Sequence, residues 1–201
     1  MSRRFGSKTN QDGKEIRSNG SMPVMVGECV PGHTIEYFGM AKDQNGAEQS
    51  NVAEIRFRQA NGALFVKKFW DSEQDWAIDN LNRDMLHICT KIVSKEEYYA
   101  AIENAEDTFK SFIETINREI ISKASEMKFS LKIVYRENKN ENSSSFGQFF
   151  PALPNFPNWI ELDGTTPSSF KTNPQYDFYE IPTATATSQV ESVDSGEDDV
   201  F

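Results

Sequence analysis

Two cysteines and two histidines are all that the chain offers to a soft metal or a redox couple. Cys29 and Cys89 stand far apart and in no ligand-like spacing, which reads as two ordinary thiols in a reducing compartment. His33 and His87 each sit inside an apolar pattern and read as structural histidines. No G-x-S-x-G or G-x-G-x-x-G run is present, and Gly6-Ser7-Lys8-Thr9 lacks the upstream glycine and the preceding strand of a phosphate-binding loop. Paired acids such as Glu96-Glu97 and Glu106-Asp107 fall on the polar face of a helical pattern, where they solvate it. The chain is therefore expected to be no enzyme and to need no metal or cofactor. Long apolar runs are lacking too, and none approaches the ~20 residues that cross a bilayer. The opening stretch has no apolar h-region of a secretory signal. A cytoplasmic protein without membrane contact is the expectation, and Asn142-Ser143-Ser144 then has no meaning as a glycosylation sequon.

What the chain has in quantity is aromatic residues and acid. Its 15 Phe, 6 Tyr and 3 Trp are enough for a real core, although the mean hydropathy is only −0.61. The net charge of −10 is unevenly spread. Residues 1–20 carry +3, residues 184–201 carry −5, and the body between them −8. Polar composition without periodicity makes residues 1–21 a flexible basic arm and residues 183–201 a disordered acidic tail, with one domain over residues 22–182. An acidic body does not advertise nucleic-acid binding, so any such function has to come from local clustering.

Within the domain the clearest element is a β-hairpin. NVAEIRFRQA and ALFVKKFW flank Asn61-Gly62, the signal for a two-residue type I′ turn. That turn sets Arg58 opposite Phe65, Phe57 opposite Val66 and Arg56 opposite Lys67. Alternation then gives one apolar face, with Phe57, Leu64 and Val66, and one basic face, with Arg56, Arg58, Phe65 and Lys67. His33 to Ala41 reads as a strand, and Met85 to Val93 as another strand, with a buried helix turn as the alternative. Ser94 with Glu97 forms a capping box, and Ile102, Phe109, Ile113, Ile116 and Ile120 continue at helical spacing. This predicts one helix to about Ser125, ~45 Å long at 1.5 Å per residue. Met127 to Tyr135 is a further strand, followed by an aromatic stretch whose prolines at 151, 154 and 157 exclude a central strand until about Asn158. The order predicts a mainly β fold with one long helix, an α+β domain of the oligonucleotide-binding (OB) type built as a five-stranded barrel. A generic α+β roll is the competing architecture.

Three constellations could carry function. On the hairpin, Arg56, Arg58, Phe65 and Lys67 put cations and an aromatic plane on one face, as single-stranded DNA requires, with Tyr37 or Trp70 as further stacking planes. On the next basic strand, Lys128, Lys132 and Arg136 share one side while Phe129, Leu131 and Ile133 take the other. The aromatics Phe146, Phe149, Phe150, Phe156 and Trp159 either stack bases or cover one end of the core. Last, Glu197, Asp198 and Asp199 precede Val200 and Phe201, and an aromatic ring behind a run of acids can enter an apolar pocket rimmed by Lys or Arg.

With that tail the sequence resembles bacterial and phage single-stranded DNA-binding proteins, which join an OB-fold core to an acidic tip ending in Phe. The close match covers about Glu197 to Phe201, and Val200 stands where the bacterial tip commonly has Pro, which leans toward the phage versions. The resemblance implies sequence-independent binding of single-stranded DNA in phage-type replication or recombination. It also implies recruitment of replication or recombination proteins through Glu197–Phe201. Two other classes fit the acidic body: a DNA mimic or inhibitor of a host DNA-handling enzyme, and a virion structural or assembly protein.

Overall fold

The structure is a computed structural model that describes residues 22–103, 105, 107–154 and 158–182. It also gives the backbone of two short antiparallel strands, β1 (Lys8–Thr9) and β2 (Glu15–Ile16). The remaining residues of the basic arm, and the whole acidic tail, lie outside the described residues. The main sheet has six antiparallel strands. These are β3 (Gly27–Lys42), β4 (Glu48–Arg58), β5 (Leu64–Trp70), β6 (Phe129–Glu137), β7 (Phe149–Ala152) and β8 (Ile160–Leu162). Its order is β5-β4-β3-β6-β7, and β8 pairs with β6 beside β7. Between β5 and β6 lie three helices, α1 (Asp75–Cys89), α2 (Lys95–Ile102) and α3 (Phe109–Glu119), and a 3₁₀ turn at Ile121–Ala124.

The long strand β3 sets this arrangement. Its first half pairs with β6, from Gly27↔Ile133 to His33↔Phe129, and its second half pairs with β4, from Thr34↔Arg58 onward. The changeover follows Pro31, which cannot donate to a ladder, and Gly32, whose φ of 77° favours glycine. A Cβ at Gly32 would also stand 3.2 Å from the Ala60 Cβ. The inner face of the sheet buries Phe38, Ile55, Phe57, Phe65, Phe69, Phe129, Leu131 and Ile133 against Met85, Ile88, Tyr98, Ile113 and Ile116 of the helices. Trp159 enters the same core, edge-on to Phe57 at 6.4 Å between centroids.

Four expectations change. The sheet is open: among the described residues β5 and β8 do not pair, so there is no closed five-stranded barrel. The single long helix is instead two short ones. Thr108 caps α3 by accepting from the Ser111 N–H at 3.1 Å, while the Ser94–Glu97 capping box starts α2. Thr108, which follows Glu106 and Asp107 in the sequence, offers the backbone a fresh start, and the break sets α2 against α1 and α3 while α3 packs on β3 and β4. Met85 to Cys89 is not a strand but the end of α1, whose Ile78, Leu81, Met85 and Ile88 follow a helical period. The hairpin register is also shifted by one residue. Gly62 N–H donates to the Gln59 carbonyl and Gln59 N–H to Ala63, and only Gly62 has positive φ in the loop. This is a three-residue loop with a type I turn and a glycine bulge, for which Asn-Gly serves as well as it does for type I′. Asn61 holds it by donating to the Pro23 carbonyl and accepting from Ala63 N–H.

The shift pairs Phe57 with Phe65 and Arg56 with Val66, which places Phe65 in the core and Val66 in solvent. Phe65→Ala should therefore cost about 3–5 kcal/mol of stability, and Val66→Ala less than about 1 kcal/mol. Urea denaturation of the two variants checks the register, and equal losses would contradict it.

Candidate nucleic-acid interface

A one-residue slip in a hairpin exchanges the two faces of a strand. Across β3, β4 and β5, the outer face consequently carries Tyr37, Glu54, Arg56, Arg58, Leu64, Val66, Lys68 and Trp70. Tyr37 lies flat over Gly39, where an added Cβ would meet the Tyr37 hydroxyl at 3.0 Å, and the same hydroxyl donates to the Met40 carbonyl at 2.6 Å. The Arg56 guanidinium stacks on this ring, 5.0 Å from its centroid. Glycine thus makes room for a tyrosine plane, and the plane holds an arginine. Trp70, at the far end of β5, is 60% exposed, and Lys68 beside it is exposed as well.

Both arginines are already engaged by acids. Arg56 Nε donates to Glu54 Oε1 at 2.7 Å, and Glu54 is buried. Arg58 grips Glu36 with two parallel bonds of 2.5 and 2.8 Å and donates to the Gly62 carbonyl. The Arg58 hydrogen bond holds the Glu36 carboxyl below the usual carboxylate range. The pairs pin the arginines in place, and they also offset their charge toward a phosphate.

Of the nine side chains expected at a DNA surface, Tyr37, Arg56, Arg58 and Trp70 share this face. Phe65 and Lys67 do not. Phe65 is core, and Lys67 turns inward to Asp84 of α1 at 3.1 Å, with its Nζ 5.3 Å from the Phe69 ring centroid. Lys68, one residue on, takes the outward place that Lys67 was expected to fill. Nothing but the loop type distinguishes the two readings in the sequence.

The strand β6 alternates as expected, but its polar side is covered rather than open. Lys132 is buried, donating to Asp177 Oδ2 at 2.5 Å and to the Lys171 carbonyl at 2.6 Å. Asp177 also accepts from the Asn173 N–H, and Ser130 donates to Asp163. The segment from Asp163 to Phe178 therefore straps this side of β6, and Tyr135 N–H donates to the Phe178 carbonyl. Arg136 is half-buried with no partner on Nε, and burial lowers its pKa against the pull of Asp177. Lys128 is exposed just before β6. The two basic strand faces thus do not join into one channel.

Of the aromatic stretch, Trp159 is buried while Phe146 and Phe150 are exposed, Phe150 opposite Arg136 on β7. Pro151 occupies that edge strand opposite Tyr135, where its missing N–H costs no ladder bond. Phe156 lies outside the described residues, as do Glu197, Asp198, Asp199, Val200 and Phe201. Among the described residues no three His, Cys, Asp or Glu side chains cluster to hold a metal ion, and no helix is long and apolar enough to cross a membrane. No protein-family model matches the chain, and no curated protein matches it either.

Two outcomes follow from the buried charges. Asp177→Ala strands the Lys132 ammonium and should destabilise by about 3–5 kcal/mol, whereas Lys132→Met combined with Asp177→Leu should recover most of that. Chemical denaturation of the single and double variants measures this. For His87, burial against Trp159, with Lys91 adding and Asp84 opposing, lowers the pKa from 6.5 to about 4. The unfolded chain then binds the extra proton first, so stability is full above pH 6.5 and falls as pH drops toward 4. His87→Phe should lose less stability between pH 7 and pH 4.5 than the parent, read from denaturation midpoints.

Proposed function

We propose that this chain is a non-enzymatic, sequence-independent single-stranded DNA-binding protein of the phage replication or recombination type. Its oligonucleotide surface is the outer face of β3, β4 and β5. Supporting the fold part of this reading is the strand order: a three-strand meander, a helical insertion, then a strand returning to the first. This is the connectivity of an OB sheet without its closing pair. The observation that carries the function is Trp70. An indole 60% exposed at the end of a strand, in line with exposed Lys68, has no packing role to explain it. It stands two rungs from the Tyr37–Arg56 stack on the same face, about 13 Å along the strand. Two aromatic planes with cations between and beside them offer stacking to successive unpaired bases. The acidic segment Glu197–Phe201 is the proposed recruiting element for replication or recombination partners.

A second reading has its own observation. From Asp71 to Asp79 the chain carries Asp71, Glu73, Asp75 and Asp79 with no base, around a Trp76 that is 67% exposed. An acidic surface with one large anchor is what an interaction protein presents to a basic partner. That protein would bind no oligonucleotide.

Fluorescence anisotropy with labelled oligo-dT separates the two. Binding should appear at low salt and weaken with a log–log slope of roughly −2 if three cations, Arg56, Arg58 and Lys68, meet phosphates. Trp70→Ala should weaken it by about 5- to 150-fold, the loss of one stacked base. Absence of binding at low salt rules the DNA reading out.

A further inference from the structure

An antiparallel ladder gives alternate residues of a strand to each neighbour, so a strand at the border of a sheet leaves half its backbone groups unmet. β5 is such a border, because the strand order ends there. Which of its groups are left follows from the two ends of its ladder with β4. Gln59 N–H donates to the Ala63 carbonyl and Asp71 N–H to the Asn51 carbonyl. The register between them runs unbroken from Arg58↔Leu64 to Val52↔Trp70. Phe65, Lys67 and Phe69 therefore bond to β4. The N–H and C=O groups of Leu64, Val66, Lys68 and Trp70 point away from it, and among the described residues no hydrogen bond meets them. Val66, Lys68 and Trp70 are exposed, so this row of backbone groups is open to solvent. The opposite border differs: β7 has four residues and carries Pro151, and β8 has three. Short edges and proline turn a further strand away.

Charge along this edge selects its occupant. Lys67 and Lys68 stand in mid-strand, so two copies joined antiparallel about the middle of β5 would bring their lysines together, on bodies that each carry −8. Like charges opposite one another destabilise a strand pair, which makes a second copy a poor occupant. At the Trp70 end the sign reverses. Lys67 reaches Asp84 at 3.1 Å, so α1 turns back along β5 and its first turn stays near Trp70. Asp71, Glu73, Asp75 and Asp79 gather there with no base among them, around the exposed rings of Trp70 and Trp76. Carboxylates and indole faces both attract cations.

We propose that β5 accepts an extended segment of a partner protein as a further antiparallel strand. The segment carries Arg or Lys at its N-terminal end, beside Trp70, and neutral β-branched residues along Val66 and Leu64. An antiparallel strand runs from Trp70 toward Leu64, which puts its first residues at the acidic end. Backbone bonds give such a complex its affinity, and side chains at alternate positions give it selectivity. The site is the border of the sheet and needs no oligonucleotide, so it does not rest on the DNA reading.

The test is amide hydrogen exchange by ¹H–¹⁵N NMR on the full chain, with a labelled peptide of two arginines followed by alternating threonine and valine. In the chain alone, the amides of Leu64, Val66, Lys68 and Trp70 should exchange fast and those of Phe65, Lys67 and Phe69 slowly. Protection of both sets would mean that the edge is already filled, by the chain itself or by a second copy, and would overturn the proposal. Peptide should slow exchange at Val66 and Lys68 by about tenfold or more. With glutamates in place of the arginines it should bind roughly tenfold more weakly, the loss of two surface ion pairs. Of two versions N-methylated at alternate residues, the one blocked on the side facing β5 should lose binding and the other keep it. Val66→Pro removes an outward N–H that makes no bond to β4, and should abolish peptide binding too; the peptide series decides even if that variant folds poorly. No binding, equal binding of the glutamate peptide, equal behaviour of both methylated versions, or shifts centred away from β5 would each overturn pairing at this edge. Oligo-dT anisotropy is read separately, so failure here leaves the DNA reading standing.

Discussion

Because β3 gives one half of its ladder to β6 and the other half to β4, it bends the whole sheet around one corner. Pro31 and Gly32 sit at that corner, the first unable to donate and the second in a conformation that favours glycine. With the strand turned, the inner faces of both halves look at the same helices and form one core. The outer faces are then set apart, one bare across β3, β4 and β5, the other strapped by Asp163–Phe178. A straight β3 would give neither a shared core nor a separated outer surface.

Acid dominates the composition, and among the described residues seven cations are paired with carboxylates, Arg56 and Arg58 among them. Arg56 and Arg58 are fixed tightly but carry their counter-charges with them, so a phosphate gains less from them than from free arginines. If the proposed oligonucleotide binds there, its affinity would rest more on rings than on charge. The Tyr37 plane, seated on Gly39, and the Trp70 indole are the parts that acids do not offset.

Much of the strand pattern and the Ser94 capping box was legible in the sequence, because apolar alternation and the Ser-x-x-Glu spacing have direct physical causes. The division of the long helix was not, since the apolar spacing continues through Thr108 and only the cap marks the interruption. The face of the hairpin failed on a narrower point. Asn61-Gly62 satisfies two loop geometries, and one residue of difference moves Phe65 and Lys67 inward and Lys68 outward. For β6 the alternation of Lys132 and Arg136 was correct and their exposure was not. What buries Lys132 is Asp177, far along the chain, and no local pattern announces a strap that arrives so late. Tyr37 and Trp70 alternate with the buried Phe38 and Phe69, and that alternation sets both rings on the outer face.

The changeover in β3 also bears on how the chain assembles. Pairing β3 with β4 and β4 with β5 closes only short loops, the hairpin having three residues at its tip. Joining Gly27 to Ile133 closes a loop of about a hundred residues, whose entropic cost must be met before any contact across it stabilises the chain. The meander and the helices can gather first, with β6 docking late on the half of β3 left vacant. The corner at Pro31–Gly32 is then a boundary in time as well as in space, between a part that can nucleate locally and one that waits for the rest of the chain.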